Sequence, residues 1–284
     1  MKLGVIDVGG GMRGIYAAGV LDRCLEEDVR FDCCIGVSAG SANLSCYLSG
    51  QHGRCKRFYS EYSFRKRYMS FGNLLRTGSY LGLDYIYGTL SRADGEDPLG
   101  YAAIAAASAD FVVIAEEAHT GAPKYFTKAD LAQDDYRPLM ASSCIPGIDR
   151  PYPIDGVPYY DGALADPVPV QLAFDLGCDK VVLILTRPAA VPREPGKDRL
   201  LARLIRRRYP ISAEKIAHRA DAYNASVALA RRYEAEGRLY LVSPDDTDGV
   251  TTLSRDKEAM ERLYQRGHRD GAGIARWLDE GRDG

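Results

Sequence analysis

The sequence predicts an α/β fold, a three-layer α/β/α sandwich with a mostly parallel central sheet. Short apolar segments alternate along the chain with segments whose apolar residues recur at helical spacing. This alternation is typical of parallel strands covered by helices on both faces. Glycine-rich stretches, residues 9–14 and 36–40, follow the first two predicted strands. Because ligands bind beyond the carboxyl ends of such strands, we expect both stretches at the functional edge of the sheet.

The individual elements follow from the same patterns. Residues 13–27 are predicted to form the first helix because apolar side chains recur at helical spacing from Ile15 to Leu25. The predicted strands are residues 2–8, 31–37, 111–116, 125–127, 181–186 and 239–242. The other predicted helices are residues 39–48, 137–143, 212–236 and 255–280, and residues 151–161 are predicted to form a hairpin.

The 284 residues are predicted to form a single domain with two additions to its main body. Residues from about 54 to 90 are rich in aromatic and basic side chains, which indicates a helical insertion packed over the sheet. Residues from about 190 to 284 form a predicted C-terminal helical extension, and they carry no recognisable motif.

The composition excludes several classes of protein. The net charge of −2 provides no overall field that favours nucleic acid. The N-terminal apolar run ends at Asp7, too early for a signal peptide, and no segment approaches the ~18 apolar residues of a membrane-spanning helix. The seven cysteines form no C-x-x-C pair and are interpreted as reduced core thiols. We therefore expect a cytoplasmic protein with no metal site and no cofactor.

Residues 36–40 read Gly-Val-Ser-Ala-Gly and lie between a predicted strand and a predicted helix. This G-x-S-x-G arrangement is typical of a nucleophile elbow, a tight turn that exposes a serine hydroxyl at the edge of a sheet. Gly36 and Gly40 suit the crowded positions on either side of Ser38. By itself, the pattern fits a catalytic serine or a plain strand-to-helix turn equally well.

The glycine loop at residues 9–14 has two interpretations. Its glycines fit the G-x-G-x-x-G fingerprint of dinucleotide-binding proteins, and they also fit an oxyanion loop whose amides face a tetrahedral intermediate. A dinucleotide site requires an acidic residue at the end of the second strand, whereas the G-x-S-x-G stretch occupies that position. We therefore favour the oxyanion loop, in which Gly10 and Gly11 donate amides and Arg13 adds positive charge.

A serine nucleophile needs a base, and two kinds of residue are candidates. Among the four histidines, only His119 is predicted near the carboxyl edge of the sheet, and a turn residue is its simpler interpretation. Asp161, which is followed by Gly162, is predicted at the end of a hairpin strand. Spacing alone does not distinguish a catalytic Asp161 from a turn aspartate.

Four blocks together resemble the patatin-like phospholipase family, in its bacterial branch, over residues 3 to 186. They are the glycine loop with its arginine, the G-x-S-x-G elbow, the small-residue stretch 141–146 that ends in proline, and Asp161-Gly162-Ala163 continued by residues 166–170. The resemblance implies a Ser38–Asp161 dyad without histidine. It also implies an oxyanion hole drawn from Gly9, Gly10, Gly11, Arg13 and Gly14.

The function implied by this resemblance is that of a serine acyl hydrolase of the phospholipase A, lysophospholipase or esterase type. Such an enzyme cleaves lipid acyl esters through an acyl-enzyme, with a lipid or ester as the partner. A nucleotide-binding oxidoreductase and a catalytically silent, lipid-binding relative are the alternatives. Residues 54–90 suit either a roof over an acyl-chain groove or an ordinary helical subdomain. Residues 199–209 combine an apolar stripe with arginines, which fits a helix docked on the core better than a helix lying on an anionic membrane.

Overall fold

The computed structural model describes residues 1–196 and 198–280, and the strands in this part of the chain form one sheet. The strands are β1 (Leu3–Asp7), β2 (Cys33–Val37), β3 (Asp110–Glu117), β4 (Pro123–Thr127), β5 (Tyr152–Ile154), β6 (Val157–Asp161), β7 (Lys180–Ile184) and β8 (Leu239–Val242). Their order is β5-β6-β3-β2-β1-β7-β8, and β4 also pairs with β3. The five strands from β3 to β8 in this order are parallel, whereas β4, β5 and β6 join by antiparallel pairing. The predicted mostly parallel sheet is confirmed.

Helices cover both faces of this sheet. They are α1 (Ile15–Glu26), α2 (Ala39–Leu48), α3 (Arg54–Ser60), α4 (Phe71–Thr77), α5 (Leu83–Tyr85), α6 (Tyr101–Ala106), α7 (Arg137–Ser142), α8 (Val170–Asp175), α9 (Asp198–Ile205), α10 (Pro210–Ala235) and α11 (Lys257–Glu280). The first predicted helix begins at Ile15 rather than Arg13 because Gly11–Gly14 forms a tighter 3₁₀ turn.

Two hydrophobic clusters follow from the alternation of side chains along the buried strands. On β1, Val5 joins the cluster shared with α1 and α11, while the next residue, Ile6, joins the cluster shared with α8 and α10. Residues adjacent in sequence therefore anchor opposite helical layers, which is the arrangement expected of a three-layer α/β/α sandwich.

The C-terminal extension is more closely integrated than a helical appendage. The strand predicted at residues 239–242 is present as β8, and it extends the sheet by pairing in parallel with β7. Helix α11 lies directly against α1, where a Cβ atom on Gly19 or Gly267 would collide with the backbone of the other helix. The Tyr264 hydroxyl also donates a 2.8 Å hydrogen bond to Asp22.

The residue pairing of the sheet determines which loops meet at its functional edge. Asp7 pairs with Gly36, so the glycine loop that follows β1 lies beside the elbow that follows β2. Ala115 of β3 pairs with Asp161 of β6, so the last residue of the hairpin reaches the same edge. The fold thereby brings together residues more than a hundred positions apart. In residues 1–196 and 198–280, no helix is long and apolar enough to cross a membrane.

Candidate active site

Ser38 occupies the strained turn that its sequence motif predicts. It is the single residue between β2 and α2, with φ 57° and ψ −130°. Such dihedrals are costly for a residue that carries a Cβ atom and persist only where the surroundings impose them. The elbow is imposed by close backbone contacts: a Cβ atom on Gly36 would collide with Ser41, and one on Gly40 would collide with Asp7.

The Ser38 hydroxyl donates a 2.6 Å hydrogen bond to Oδ2 of Asp161. Both side chains are buried, with 6% and 7% of their residue surfaces exposed. The other carboxylate oxygen accepts a 2.9 Å hydrogen bond from the Ala163 amide, which fixes the orientation of the carboxylate. Gly162 has no room for a side chain because a Cβ atom there would collide with the carbonyl of Ile114. The Asp-Gly-Ala sequence thus holds the carboxylate toward the serine.

Burial raises the pKa of Asp161 from 3.8 to about 6. The hydrogen bonds from Ser38 and Ala163, together with the positive charges of Arg219 and Arg193, oppose this increase without cancelling it. A higher pKa makes the carboxylate a stronger base than a free aspartate while leaving it ionised at neutral pH. The arrangement therefore suits proton abstraction from Ser38.

Ser142 completes the support of the elbow. Its hydroxyl oxygen accepts a 2.8 Å hydrogen bond from the Ser38 amide. The same stretch of small residues supplies the Cys144 carbonyl, which accepts a 2.9 Å hydrogen bond from the Asp161 amide. Sequence analysis assigned no role to Ser142, although the small residues at 141–146 were the available signal.

The glycine loop adopts a conformation that other residues rarely adopt. Gly9, Gly10 and Gly11 have φ values of 64°, 121° and 61°. The Gly9 amide donates a 2.8 Å hydrogen bond to the buried carboxylate of Asp7, so this amide is already engaged. The Gly10 and Gly11 amides donate to no other group in the described part of the chain, and both residues line that cavity. The geometry therefore leaves Gly10 and Gly11 as the amides available to an oxyanion.

Gly9 and Gly14 occupy crowded positions of the loop. A Cβ atom on Gly9 would collide with the Val37 carbonyl, and one on Gly14 would collide with the Tyr59 hydroxyl. The Gly14 carbonyl accepts a 3.0 Å hydrogen bond from Asn43, which also donates to Asp7 at 2.9 Å. These two glycines therefore differ from Gly10 and Gly11, whose amides have no partner in the described part of the chain.

Arg13 is a buried cation with few partners. One guanidinium nitrogen, Nη1, donates a 3.2 Å hydrogen bond to Thr252, and Nε is buried without a partner. Burial lowers the pKa of Arg13 to about 9, with a further decrease from the nearby positive charges of Arg187 and Arg193. The guanidinium therefore remains charged at neutral pH, and it forms no ion pair with a carboxylate of residues 1–196 or 198–280.

Two cavities meet at Ser38. The first, which we call the apolar chamber, encloses about 40 Å³ and is walled mainly by the insertion at residues 54–90. Its lining includes Met12, Ala42, Phe58, Tyr59, Tyr68, Met69, Leu81, Leu83, Ile86 and Tyr87. The second, which we call the basic pocket, encloses about 220 Å³ and also contains Asp161, Gly10 and Gly11. Its charged lining includes Arg13, Arg187, Arg193 and Arg219. Ser38 is thus accessible from an apolar side and from a cationic side.

The histidines contact other parts of the molecule. His52 and His268 both contact Glu26, at 2.9 and 2.8 Å, and His218 lies 3.7 Å from Asp221. His119, the alternative base, has its ring centroid 5.0 Å from that of Tyr209. Asp161 is therefore the base that the structure brings to Ser38. In residues 1–196 and 198–280, no group of three histidine, cysteine or acidic side chains is arranged to bind a metal ion.

The dinucleotide interpretation of the glycine loop has no support in this geometry. The second strand ends at Val37 and is followed by Ser38, so no acidic residue is available there to bind a ribose. Asp32, the nearby acid, precedes the strand and accepts a 2.7 Å hydrogen bond from the Leu3 amide at the opposite edge of the sheet.

The chain is similar to known family models and proteins. A family model for patatin-like phospholipases matches residues 8–174, and a model for a domain of unknown function, DUF6363, matches residues 209–278. The uncharacterized protein YjjU of Escherichia coli (strain K12) is 29% identical over 199 residues, which make up 68% of this chain and 54% of that protein. The chain thus spans about half the length of that relative.

A solved structure, that of VipD from Legionella pneumophila, aligns with 98% of this chain and 67% of its own, at a TM-score of 0.49 and 14% identity. The match to the family model is the stronger finding because it covers more than half of the chain and contains the elbow, the glycine loop and Asp161. The protein therefore belongs to the patatin-like phospholipases, a family of lipid acyl hydrolases.

Proposed function

We propose that the protein is a serine acyl hydrolase that cleaves lipid acyl esters with a Ser38–Asp161 dyad. The observation that carries the proposal is the 2.6 Å hydrogen bond between the two buried side chains. It joins a hydroxyl on a strained turn to a carboxylate whose pKa burial raises to about 6. A nucleophile within hydrogen-bond reach of an oriented base is the arrangement that covalent catalysis requires.

In the first half-reaction, the Ser38 oxygen attacks the ester carbonyl carbon while Asp161 accepts the hydroxyl proton. The carbonyl oxygen becomes an oxyanion, which the Gly10 and Gly11 amides stabilise, and Arg13 adds positive charge nearby. The tetrahedral intermediate collapses as the bond to the alcohol breaks, and Asp161 returns its proton to the departing oxygen. This leaves an acyl-enzyme on Ser38.

In the second half-reaction, Asp161 takes a proton from water and the resulting nucleophile attacks the acyl-enzyme. Collapse of the second intermediate releases the fatty acid, and the proton returns to Ser38. Side chains and backbone amides of the chain supply every step, so the proposed reaction needs no cofactor. The aromatic and aliphatic walls of the apolar chamber beside Ser38 suit the start of an acyl chain, since its volume of about 40 Å³ admits only a short apolar segment.

A fluorophosphonate probe tests the proposal because it forms a stable adduct only with an activated serine. We expect the probe to label the wild-type protein and not the Ser38→Ala variant. Ser45→Ala is the matched control, since Ser45 lies on α2 and its hydroxyl donates to the Ala42 carbonyl, away from Asp161. A wild-type protein that binds lipid without labelling would instead be the catalytically silent relative.

A further inference from the structure

The C-terminal region reaches the glycine loop through one short segment. Residues 250–254, which we call the C-terminal loop, lie between β8 and α11, within the part matched by the domain of unknown function. The carbonyl of Thr252 accepts a 3.0 Å hydrogen bond from the Met12 amide. A segment outside the matched patatin-like region therefore contacts the loop whose amides are available to an oxyanion.

The contact with Met12 determines which amides of the glycine loop remain available. Met12 lies in a 3₁₀ turn, and the first amides of such a turn have no partner within it. The Thr252 carbonyl engages the Met12 amide, and a carboxylate engages the Gly9 amide on the other side of the loop. The two contacts bracket Gly10 and Gly11, and they leave this pair of amides to face the basic pocket.

The side chain of Thr252 holds Arg13. The Thr252 hydroxyl accepts a 3.2 Å hydrogen bond from Nη1 of Arg13, whose guanidinium is buried. The other terminal nitrogen, Nη2, lies beside Gly10, where a Cβ atom would be 3.1 Å from it. The guanidinium thus extends from the C-terminal loop to one of the two glycines whose amides are available. Without the Thr252 hydroxyl, Nη1 would lose this partner.

The C-terminal loop is itself fixed in place. Val250 is buried, and the Thr251 amide donates a 2.7 Å hydrogen bond to the hydroxyl of Ser254. Arg255, directly after the loop, donates to the carbonyl of Met69 in the insertion. Helix α11, which follows, packs against α1. The loop therefore has the rigidity that a supporting element needs.

Thr252 also approaches the reaction site directly. It lines both cavities, as do Gly11 and Ser38. A Cβ atom on Gly11 would collide with the Thr252 carbonyl, so the two backbones are in contact. Stabilisation of an oxyanion depends on donors that are held in place before the reaction begins. A residue that contacts three successive positions of the donor loop is placed to provide this support.

We propose that Thr252 is a positioning residue of the oxyanion site. Its carbonyl holds the Met12 amide and its hydroxyl holds the Arg13 guanidinium, so that the donor loop stays fixed while Ser38 attacks the ester. This inference rests on the proposed hydrolase function. It also gives the C-terminal region a part in catalysis, because this region supports the donors while the matched patatin-like region performs the chemistry.

The test compares Thr252→Val, which removes the hydroxyl and keeps the shape of the side chain, with Thr252→Ser, which keeps the hydroxyl. For a soluble short-chain ester, we expect kcat of Thr252→Val to fall at least about tenfold, while KM changes by less than about twofold. The reason is that the lost hydrogen bond supports a charge that acts on the transition state. Thr252→Ser should retain at least about half of the wild-type kcat.

The rate of fluorophosphonate labelling provides a second readout. It should follow kcat in each variant, because attack on the probe also builds negative charge on an oxygen beside Ser38. Should Thr252→Val misfold, Thr252→Ala serves in its place, since it differs from Thr252→Ser by the hydroxyl oxygen alone.

Thr251→Val is the matched control. Thr251 is the exposed neighbour in the same loop, its hydroxyl lies 3.0 Å from that of Ser254, and it lines neither cavity. We expect wild-type kcat and KM for this variant. Denaturant titration should give similar unfolding midpoints for the two valine variants, so that a general loss of stability does not account for a difference in kcat.

Three results would overturn the proposal. An unchanged kcat in Thr252→Val would show that the glycine loop needs no support from this residue. A higher KM at unchanged kcat would place the residue in substrate binding. Equal losses in Thr252→Ser and Thr252→Val would assign the effect to the methyl group or the fold. Failure of the hydrolase function appears separately, as a wild-type protein that neither hydrolyses esters nor reacts with the fluorophosphonate.

Discussion

The two cavities that meet at Ser38 differ in origin as well as in character. The apolar chamber is walled largely by the aromatic insertion, and it is small, at about 40 Å³. The basic pocket is larger, at about 220 Å³, and its charge comes mainly from residues 187–219. The first excludes charge and the second concentrates it. An ester with an apolar chain and an anionic head group would satisfy both sides at once.

The proposed catalytic residues and the surfaces that would recognise the substrate lie in different parts of the molecule. Ser38 and Gly11 line both cavities, Asp161 and Gly10 line the basic pocket beside them, and together these residues carry the proposed reaction for any ester. The insertion and the C-terminal helices add the surfaces that recognise the two ends of a substrate. Substitutions at the boundary should therefore affect all substrates alike, whereas substitutions in one cavity should alter one kind of preference.

The largest effect is expected from Asp161→Asn. Asparagine keeps the shape of aspartate but cannot accept the Ser38 proton, so kcat/KM should fall by about 10²- to 10⁴-fold. Neutral and phosphorylated esters should lose activity equally because the proposed reaction uses the same base for both. Steady-state hydrolysis of both substrates measures the effect.

Asp166→Asn is the matched control for this loss. Burial also raises the pKa of Asp166 to about 6, but its carboxylate does not contact Ser38. Its variant should retain most of the activity. A fully active Asp161→Asn protein would show that Asp161 is not the base. The two cavities would then not meet at the proposed catalytic pair.

The pH dependence of hydrolysis should reflect the same carboxylate. Asp161 must be ionised to act as a base, and its pKa is raised from 3.8 to about 6. Activity should therefore be present above pH 6 and fall about tenfold for each pH unit below it, as the carboxylate becomes protonated. A profile of kcat/KM from pH 4 to 8 measures this limb. Activity that stays constant down to pH 4 would contradict the role of Asp161, and Asp166→Asn should leave the limb in place.

Sequence patterns predicted the candidate catalytic residues better than the side chains that line the two cavities. The elbow and the Asp161-Gly162 turn were recognisable because each depends on glycines at fixed local positions. The Ser38–Ser142 hydrogen bond was not predictable, because it joins segments 104 residues apart. The arginine cluster was also missed: in a helical sequence, Arg219 looks the same as a solvated residue until its partner Asp198 is known.

The family resemblance implies an oxyanion hole without distinguishing the roles of its residues. It implied five residues around the oxyanion, whereas the amides available to it are those of Gly10 and Gly11. The Gly9 amide is engaged by Asp7, and Gly14 is a packing position against Tyr59. A glycine pattern indicates where the backbone turns sharply or packs closely. The hydrogen bonds of the folded chain determine which amides have no partner.

A smaller and selective effect is expected in the apolar chamber. Leu81 is buried and lines the chamber, so Leu81→Ala should make room for additional methylene groups. Each extra buried methylene contributes about 0.8 kcal/mol, so the ratio of long-chain to short-chain kcat/KM should rise about fourfold per accommodated group. A series of esters of increasing chain length measures the shift.

Leu90→Ala separates this shift from a general loss of stability. Leu90 belongs to the same insertion and is equally buried, but it does not line the chamber. Both variants should lose about 2–5 kcal/mol of unfolding free energy, measured by denaturant titration. If Leu90→Ala changed chain-length preference as much as Leu81→Ala, the chamber would not be the acyl-chain site.

The smallest effect on turnover is expected outside both cavities, on α9 and the residues that follow it. Ala202 and Ile205 are buried, so the helix is docked on the core, while Leu200 and Leu204 are 55% and 64% exposed. Arg206, Arg207 and Arg208 are exposed beside them. This combination of apolar and basic side chains suits contact with an anionic lipid surface.

Replacing Arg206, Arg207 and Arg208 with glutamine should change kcat/KM for a dissolved ester by less than about twofold, since none of them lines either cavity. Binding to anionic vesicles should weaken, because each basic residue near such a surface contributes about 1 kcal/mol. Vesicle co-sedimentation measures this, with neutral vesicles as the control. If vesicle binding were unchanged, α9 would be only a helix docked on the core with a solvated basic face. The arginines of the basic pocket would then be the basic residues left to interact with an anionic ligand.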